Sequence, residues 1–425
     1  METSPPDLGG LLELARRASG DAAATLFDQI LVHEPDHAAA LNGLGMIALA
    51  KDPARAIGLF TRAAEADPDA PALRMNIATA ARAVGDEALE RSALLAALAC
   101  DQRHLMALIR LAELHERRDE DADAAARWSA VLAVGHMLPD RSAALDPILT
   151  KAAAFVAART QHLADSVAAA LARDHDMAAR RRVSTGIDAM LGGRRIYANA
   201  CSGLHIPFLP ADEFFAHELF PWLAEIEART PAIRDEFLRV YAQQVTDAEF
   251  QPYVDMPPGT PANRWSPLDR SADWSALHLY RHGVRDEAVC ALCPETAAAL
   301  ARLPLPELPA RAPTALFSVL RPHTRIPPHT GVSNMRATVH LPLVVPPGCG
   351  FRVGGETREW QVERAFVFDD TIEHEAWNDS DAVRAILIFD AWNPYLRGDE
   401  RAMIATFFET TDRSRGHGFN TDFGE

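Results

Sequence analysis

The chain has 425 residues, 48% hydrophobic and 24% charged, a balance that lets a protein of this length bury a large core and argues against disorder. Its 59 acidic and 42 basic residues leave a formal net charge of −17, a surface that repels phosphate backbones and anionic lipid, so nucleic acid and membranes are not expected partners. No run reaches the ~20 apolar residues of a membrane span, the first residues lack the basic-then-apolar order of a secretory leader, and five scattered cysteines make no disulfide framework. The expectation is a reduced, cytoplasmic, multidomain protein.

The first 130 or so residues carry a repeat. EPDHAAALNGLGMIALA from Glu34, DPDAPALRMNIATAARA from Asp67 and DQRHLMALIRLAELHER from Asp101 start 33 and 34 residues apart, and Gly45, Ala78 and Ala112 recur at one offset behind Leu44, Ile77 and Leu111. A second amphipathic stretch follows each, such as ARAIGLFTRAAEA, which gives helical hairpins of tetratricopeptide length. The acid-Pro starts fit turns in which the acid caps the next helix. Stacked hairpins of this kind present a concave surface for a peptide, a protein or another copy. The expected division is 1–132 for the repeats, 133–190 for a helical cap or linker, and 191–425 for a second domain.

Beyond 190 the texture changes to Gly, Pro and aromatics. Helical signal returns in EFFAHELFPWLAEIEARTPAIRDEFLRVYAQQ, followed by a loop, QPYVDMPPGTPANRWSPLDRS, whose prolines forbid a central strand. After 312 come six short β-like segments, ALFSVLRP, NMRATVHLPLVVPP, GFRVGG, TREWQV, RAFVFDD and AVRAILIFDAW, the pattern of an antiparallel barrel or jelly roll. The fold class is α+β multidomain, an all-α tetratricopeptide-like solenoid followed by this β domain.

His329 follows two prolines, His374 follows a strand ending in Asp369 and Asp370, and Arg384 opens a very apolar strand. Two histidines at the two lips of a barrel suit a transition metal. As an isolated pair they equally suit ordinary hydrogen-bonded roles.

The surrounding strings decide the matter. FSVLRP (317–322), PHTGVSNMR (328–336), VHLPLVVP (339–346), FDDTIEHEAWN (368–378) and RAILIFDAWNP (384–394) resemble the aspartyl/asparaginyl β-hydroxylase family, Fe(II)- and 2-oxoglutarate-dependent dioxygenases on a double-stranded β-helix. A weaker resemblance extends upstream to about 205. It implies His329 and His374 as iron ligands, with Gly331 where most such oxygenases place a carboxylate, and Asp369 and Asp370 bracing the His374 loop. It also implies that Arg384 and Ser318 hold the far carboxylate of 2-oxoglutarate and that His340 lies near the carboxylate at iron.

Strand alternation places Asn334, Arg336, Thr338 and His340 on one interior face. The resemblance makes Arg336 a substrate-carboxylate group, with Arg270 and Trp274 in the substrate cleft. Thr338 stands where the family carries a second arginine, which weakens an aspartate-specific reading. Cys290 and Cys293 match a structural cysteine-proline stretch.

The implied reaction uses O2 to convert 2-oxoglutarate to succinate and CO2 and hydroxylates a C–H bond, by analogy the β-carbon of an Asp or Asn residue in a peptide or protein docked on the repeats. Rival readings are hydroxylation of a lipid acyl chain, halogenation, an inactive repeat scaffold, or an unrelated zinc or manganese cupin.

Overall fold

The computed structural model describes residues 7–139, 142–243 and 249–413 and divides the chain into two compact units, residues 1–191 and 192–425. In the first unit, α1 (Leu8–Arg17) and α2 (Gly20–His33) lead into α3 (Ala38–Leu49), α4 (Pro53–Ala66), α5 (Pro71–Val84), α6 (Glu87–Cys100), α7 (Leu105–Arg117) and α8 (Asp121–Met137). Then come α9 (Asp146–Asp174) and α10 (Met177–Met190). The starts of α3, α5 and α7 repeat the spacing read from the sequence, and Ala78 and Ala112 are fully buried where hairpins touch. At the equivalent Gly45 a Cβ would lie 2.5 Å from the Phe60 ring, so nothing larger than glycine fits.

The capping differs from the expectation. Glu34, Asp67 and Asp101 close α2, α4 and α6, each giving its backbone N–H to the preceding turn, while the side chains of His37 and His104 cap α3 and α7 by accepting from Ala40 and Ala107. Imidazole Nδ1 reaches the third amide as a carboxylate oxygen would. Buried Glu90 ties α6 to α7 through Arg117 (2.7 Å) and Arg110 (3.5 Å).

The second unit begins with α11 (Leu223–Glu227) and α12 (Thr230–Gln243), followed by β1 (Gln251–Pro252), β2 (Trp274–Arg281), β3 (Val284–Arg285), α13 (Glu287–Leu292) and α14 (Pro294–Leu300). The remaining strands are β4 (Ala315–Leu320), β5 (Thr324–His329), β6 (Arg336–Val344), β7 (Cys349–Val353), β8 (Glu356–Arg358), β9 (Phe366–Phe368), β10 (His374–Asn378) and β11 (Arg384–Trp392), and α15 (Gly398–Arg413) closes the unit. The strands pair antiparallel in two sheets, β1-β2-β4-β11-β6-β9 with β3 beside β2, and β5-β10-β7-β8. This is the jelly-roll arrangement.

One face of the larger sheet packs on the helices through Phe237, Phe317, Leu341 and Leu387, while its other face and the smaller sheet bury Trp274, Phe351, Phe368 and Ile386. Period-2 alternation therefore divides the long strands of the larger sheet between a dry helix-facing layer and the cavity that holds the site. Arg311 clasps Asp412 of α15 with two 2.7 Å bonds. Among the described residues no helix is long and apolar enough to cross a membrane.

Candidate active site

β10 lies between β7 and β5, and its register puts His374 directly opposite His329, with a bulge before Ala376. The two rings are 4.1 Å apart between centroids. The histidines are therefore cross-strand neighbours on one sheet, not residues at opposite lips: the β5–β10 pairing folds the intervening chain, residues 330–373, back on itself. His329 Nδ1 lies 2.7 Å from the Pro327 carbonyl and His374 Nδ1 2.9 Å from the Ile372 carbonyl. A carbonyl only accepts, so each Nδ1 carries the proton and each Nε2 keeps a lone pair. Burial pushes His329 down to about 4 and His374 well below the ordinary histidine value, which keeps both rings neutral at pH 7. Two neutral imidazoles, each oriented through Nδ1, are the donor set a divalent metal requires.

The cavity, about 390 Å³, runs from this pair to a floor formed by Arg384, Ser318, Trp274, His340 and Trp360. Arg384 is 1% exposed, and its guanidinium lies over the Trp360 ring at 5.0 Å. Nη1 donates to Ser318 Oγ at 3.4 Å, the same oxygen that accepts from Trp274 Nε1 at 3.2 Å. Among the described residues, Nε of Arg384 is buried without a hydrogen-bond partner, and burial draws this cation down to about 10. A guanidinium removed from water and given no anion is a waiting carboxylate site. His340 accepts at Nδ1 from Trp360 Nε1 (3.4 Å); indole only donates, and burial keeps the ring neutral, so its proton lies on Nε2.

The outer half holds Arg336, Asp390, Thr338, Thr314 and Asp370. Arg336 Nη1 donates to Asp390 Oδ2 at 3.0 Å, and that oxygen also accepts from Thr314 N at 2.7 Å. Asp370 packs against Gly331, and burial pushes its carboxyl up to about 7 although Arg336 and the Thr338 hydroxyl pull it back. Asp369 is the loop brace, accepting from Thr371 and Asn199.

Three expectations are corrected. Arg270 lies outside the cavity: its left-handed backbone (φ 54) turns it to solvent, where it pairs with Asp255 at 2.7 Å. Asn334 precedes β6 and is not on its interior face, because its amide is engaged with the Ile206 backbone. Asp370 forms part of the cavity wall as well as the loop. Trp274 and Arg336 do line the cavity.

Sequence patterning gives no sign of the proline-rich loop's contribution, which supplies Tyr253, Arg264 and Trp265. Tyr253 stacks on Trp274 at 3.8 Å, Trp265 meets His329 edge-on at 5.0 Å, and Arg264 Nη1 donates to the Pro328 carbonyl at 2.8 Å. Aromatics close to prolines, without a period, are the available signal. Cys290 and Cys293 are buried free thiols, and burial pushes Cys293 up to about 12, unsuited to reaction. Away from the cavity, His115 of α7, Glu120 just before α8 and Asp123 of α8 cluster, but Glu120 is already bonded to Arg91, Arg118 and His115.

Facing antiparallel sheets, two neutral imidazoles on one wall and an unpaired guanidinium at the floor define a double-stranded β-helix domain able to hold a divalent metal and an anionic ligand. Residues 227–394 match the profile of the family described as aspartyl/asparaginyl beta-hydroxylase, so this domain is similar to that family. Human aspartyl/asparaginyl beta-hydroxylase is 37% identical over 138 residues, 32% of this chain and 18% of that protein. The ornithine lipid ester-linked acyl 2-hydroxylase of Rhizobium tropici is 34% identical over 178 residues, 41% of this chain and 58% of its own. Mouse aspartate beta-hydroxylase domain-containing protein 1 is 30% identical over 233 residues, 54% and 61%. The chain thus spans less than two thirds of each of these relatives. Among solved structures, MamA protein superposes on 30% of this chain at a TM-score of 0.28 and 16% identity, too remote to bear on function.

Proposed function

We propose that the protein is an Fe(II)- and 2-oxoglutarate-dependent dioxygenase that hydroxylates the β-carbon of an Asp or Asn residue in a peptide or protein. One observation carries the reading: two neutral, Nδ1-anchored imidazoles share a cavity with a buried arginine that has no anion. His329 and His374 would hold Fe(II) through Nε2. Arg384 and Ser318 would take the far carboxylate of 2-oxoglutarate, and His340 Nε2–H would donate to the carboxylate nearer the metal. When bound, iron, 2-oxoglutarate and O2 supply the oxidising power, releasing succinate and CO2 as one oxygen atom enters the C–H bond.

The chain's own part is orientation and exclusion. Trp265 and Arg264 hold the turn that carries His329, and Tyr253, Trp274 and Trp265 form an apolar wall that keeps water from the reacting carbon. Arg336 and Asp390 form the polar part of the substrate cleft. The repeats supply a docking surface for a longer chain.

A second reading, hydroxylation of an acyl chain, draws on Leu316, Ile326, Ile386 and Ile388 in the cavity wall and on the lipid hydroxylase relative. Reaction under ¹⁸O2 with cytosolic peptides tests the reading. A mass gain carrying ¹⁸O, with equal succinate, is expected; succinate-free modification or oxygen from water contradicts it.

A further inference from the structure

We infer that the outer half of the cavity selects a reacting side chain that ends in an uncharged carboxamide over one that ends in a carboxylate. This rests on the hydroxylase reading and narrows its substrate.

The charged side chains lining this part of the cavity are Arg336, Asp370 and Asp390, with Arg264 at its rim. Arg336 and Asp390 have side chains 15% and 11% exposed, and their 3.0 Å bond lies largely out of water. Asp390 is fixed for this role by the Thr314 amide, and Asp370 lines the same part of the cavity, packed against Gly331. Arg264 is turned to the Pro328 carbonyl and the Trp265 ring. Arg384 lies at the floor. Among the described residues of this outer half, no cation faces the incoming group without a partner.

An entering carboxylate would have to displace Asp390 from Arg336 and remain beside the displaced Asp390 carboxylate in a desolvated cavity. A carboxamide meets the same groups without a charge conflict. Its N–H bonds suit the Asp390 and Asp370 oxygens, and its carbonyl can accept from the guanidinium alongside the existing pair. Thr338, reaching Asp370 with a hydroxyl, adds no positive charge to change the balance.

The test uses the full chain, immobilised and loaded with Zn(II) and 2-oxoglutarate, and two degenerate heptapeptide pools that differ only in a central Asn or Asp. Retained peptide is counted by mass, and the same pools are then offered with Fe(II) and O2. The expected result is at least a tenfold preference for the Asn pool in both binding and +16 Da product. Asp390→Asn, which replaces the anion bonded to Arg336 with a neutral acceptor, and Thr338→Arg, which adds a cation, are each expected to move the ratio at least tenfold toward Asp. Having both variants guards against one that does not fold. Equal retention of the two pools, preference for Asp, or a ratio that neither variant moves overturns the inference. So does retention of neither pool, or modification of an acyl chain instead. In each case the Fe(II)–2-oxoglutarate absorption band reports separately on the hydroxylase reading, which falls only if that band is absent.

Discussion

A Cβ added to Gly331 would stand 2.3 Å from both Cγ and Oδ2 of Asp370, while the Gly331 N–H donates to the Asp370 backbone carbonyl at 2.6 Å. The space that a side chain two residues after His329 would occupy is filled by an acid from the segment before β10. The glycine is a packing requirement of this cavity. It does not mark a ligand that has simply been lost.

Gly331→Ala is therefore expected to lower stability by about 1–3 kcal/mol through overpacking. Asp370→Ala should make the space, so the double variant should recover much of the loss, with a coupling energy of at least ~1 kcal/mol. Thermal unfolding of the four proteins checks this; additive losses contradict it. By the same geometry, Gly331→Asp alone should not install a third metal ligand without disturbing the fold around His374.

Arg384 carries a cost in the ligand-free protein, because its buried charge has no anion. Arg384→Met should leave metal binding intact, weaken 2-oxoglutarate binding severely, and stabilise the ligand-free protein by about 1–4 kcal/mol, as replacing buried charges with apolar groups does. Calorimetric titration and melting temperatures read the two effects; unchanged cosubstrate affinity contradicts the role given to this arginine.

Among the described residues, Nε2 of His278 on β2 is buried without a partner, and burial pushes the ring down to about 4. The unfolded chain binds this proton near pH 6.5, the folded chain only near 4, so between those values the unfolded state holds more protons. Stability from this group is complete above 6.5, falls as the pH drops toward 4, and is flat below it. His278→Leu should remove on the order of 1–3 kcal/mol of acid sensitivity in that window. An unchanged slope of stability against pH contradicts a neutral, half-buried His278.

In the helical unit, Glu90→Ala should cost about 3 kcal/mol, because it leaves Arg110 and Arg117 facing a buried site without their anion. Glu90→Gln, which keeps an acceptor, should lose less. Helical circular dichroism on heating distinguishes them.

The fold is legible where the pattern is local. A 34-residue recurrence of small residues shows helical hairpins without a structure, and β segments split by Gly and Pro show a sheet domain. The hidden part depends on pairing across long sequence distances. That His329 meets His374 is a property of the β5–β10 register, and that Arg336 meets Asp390 comes from β6 and β11 lying side by side. Arg270 falls outside the cleft because a left-handed backbone turns its side chain away. The acids before the repeat helices suit capping of the next helix because Asp and Glu accept well there, but His37 and His104 cap α3 and α7, and α5 starts at Pro71 with no side-chain cap. Trp265 and Tyr253 come from a loop with no period to read.

The most direct test of the central claim is anaerobic titration of the full chain with Fe(II) and 2-oxoglutarate, tracking the visible charge-transfer absorption of the chelate in wild type, His329→Ala and Arg384→Met. The band should form in wild type, be lost in His329→Ala, and require far more 2-oxoglutarate in Arg384→Met. Absence of the band in wild type with iron and cosubstrate in excess, or an undiminished band in His329→Ala, would contradict the assignment of this cavity as a dioxygenase centre.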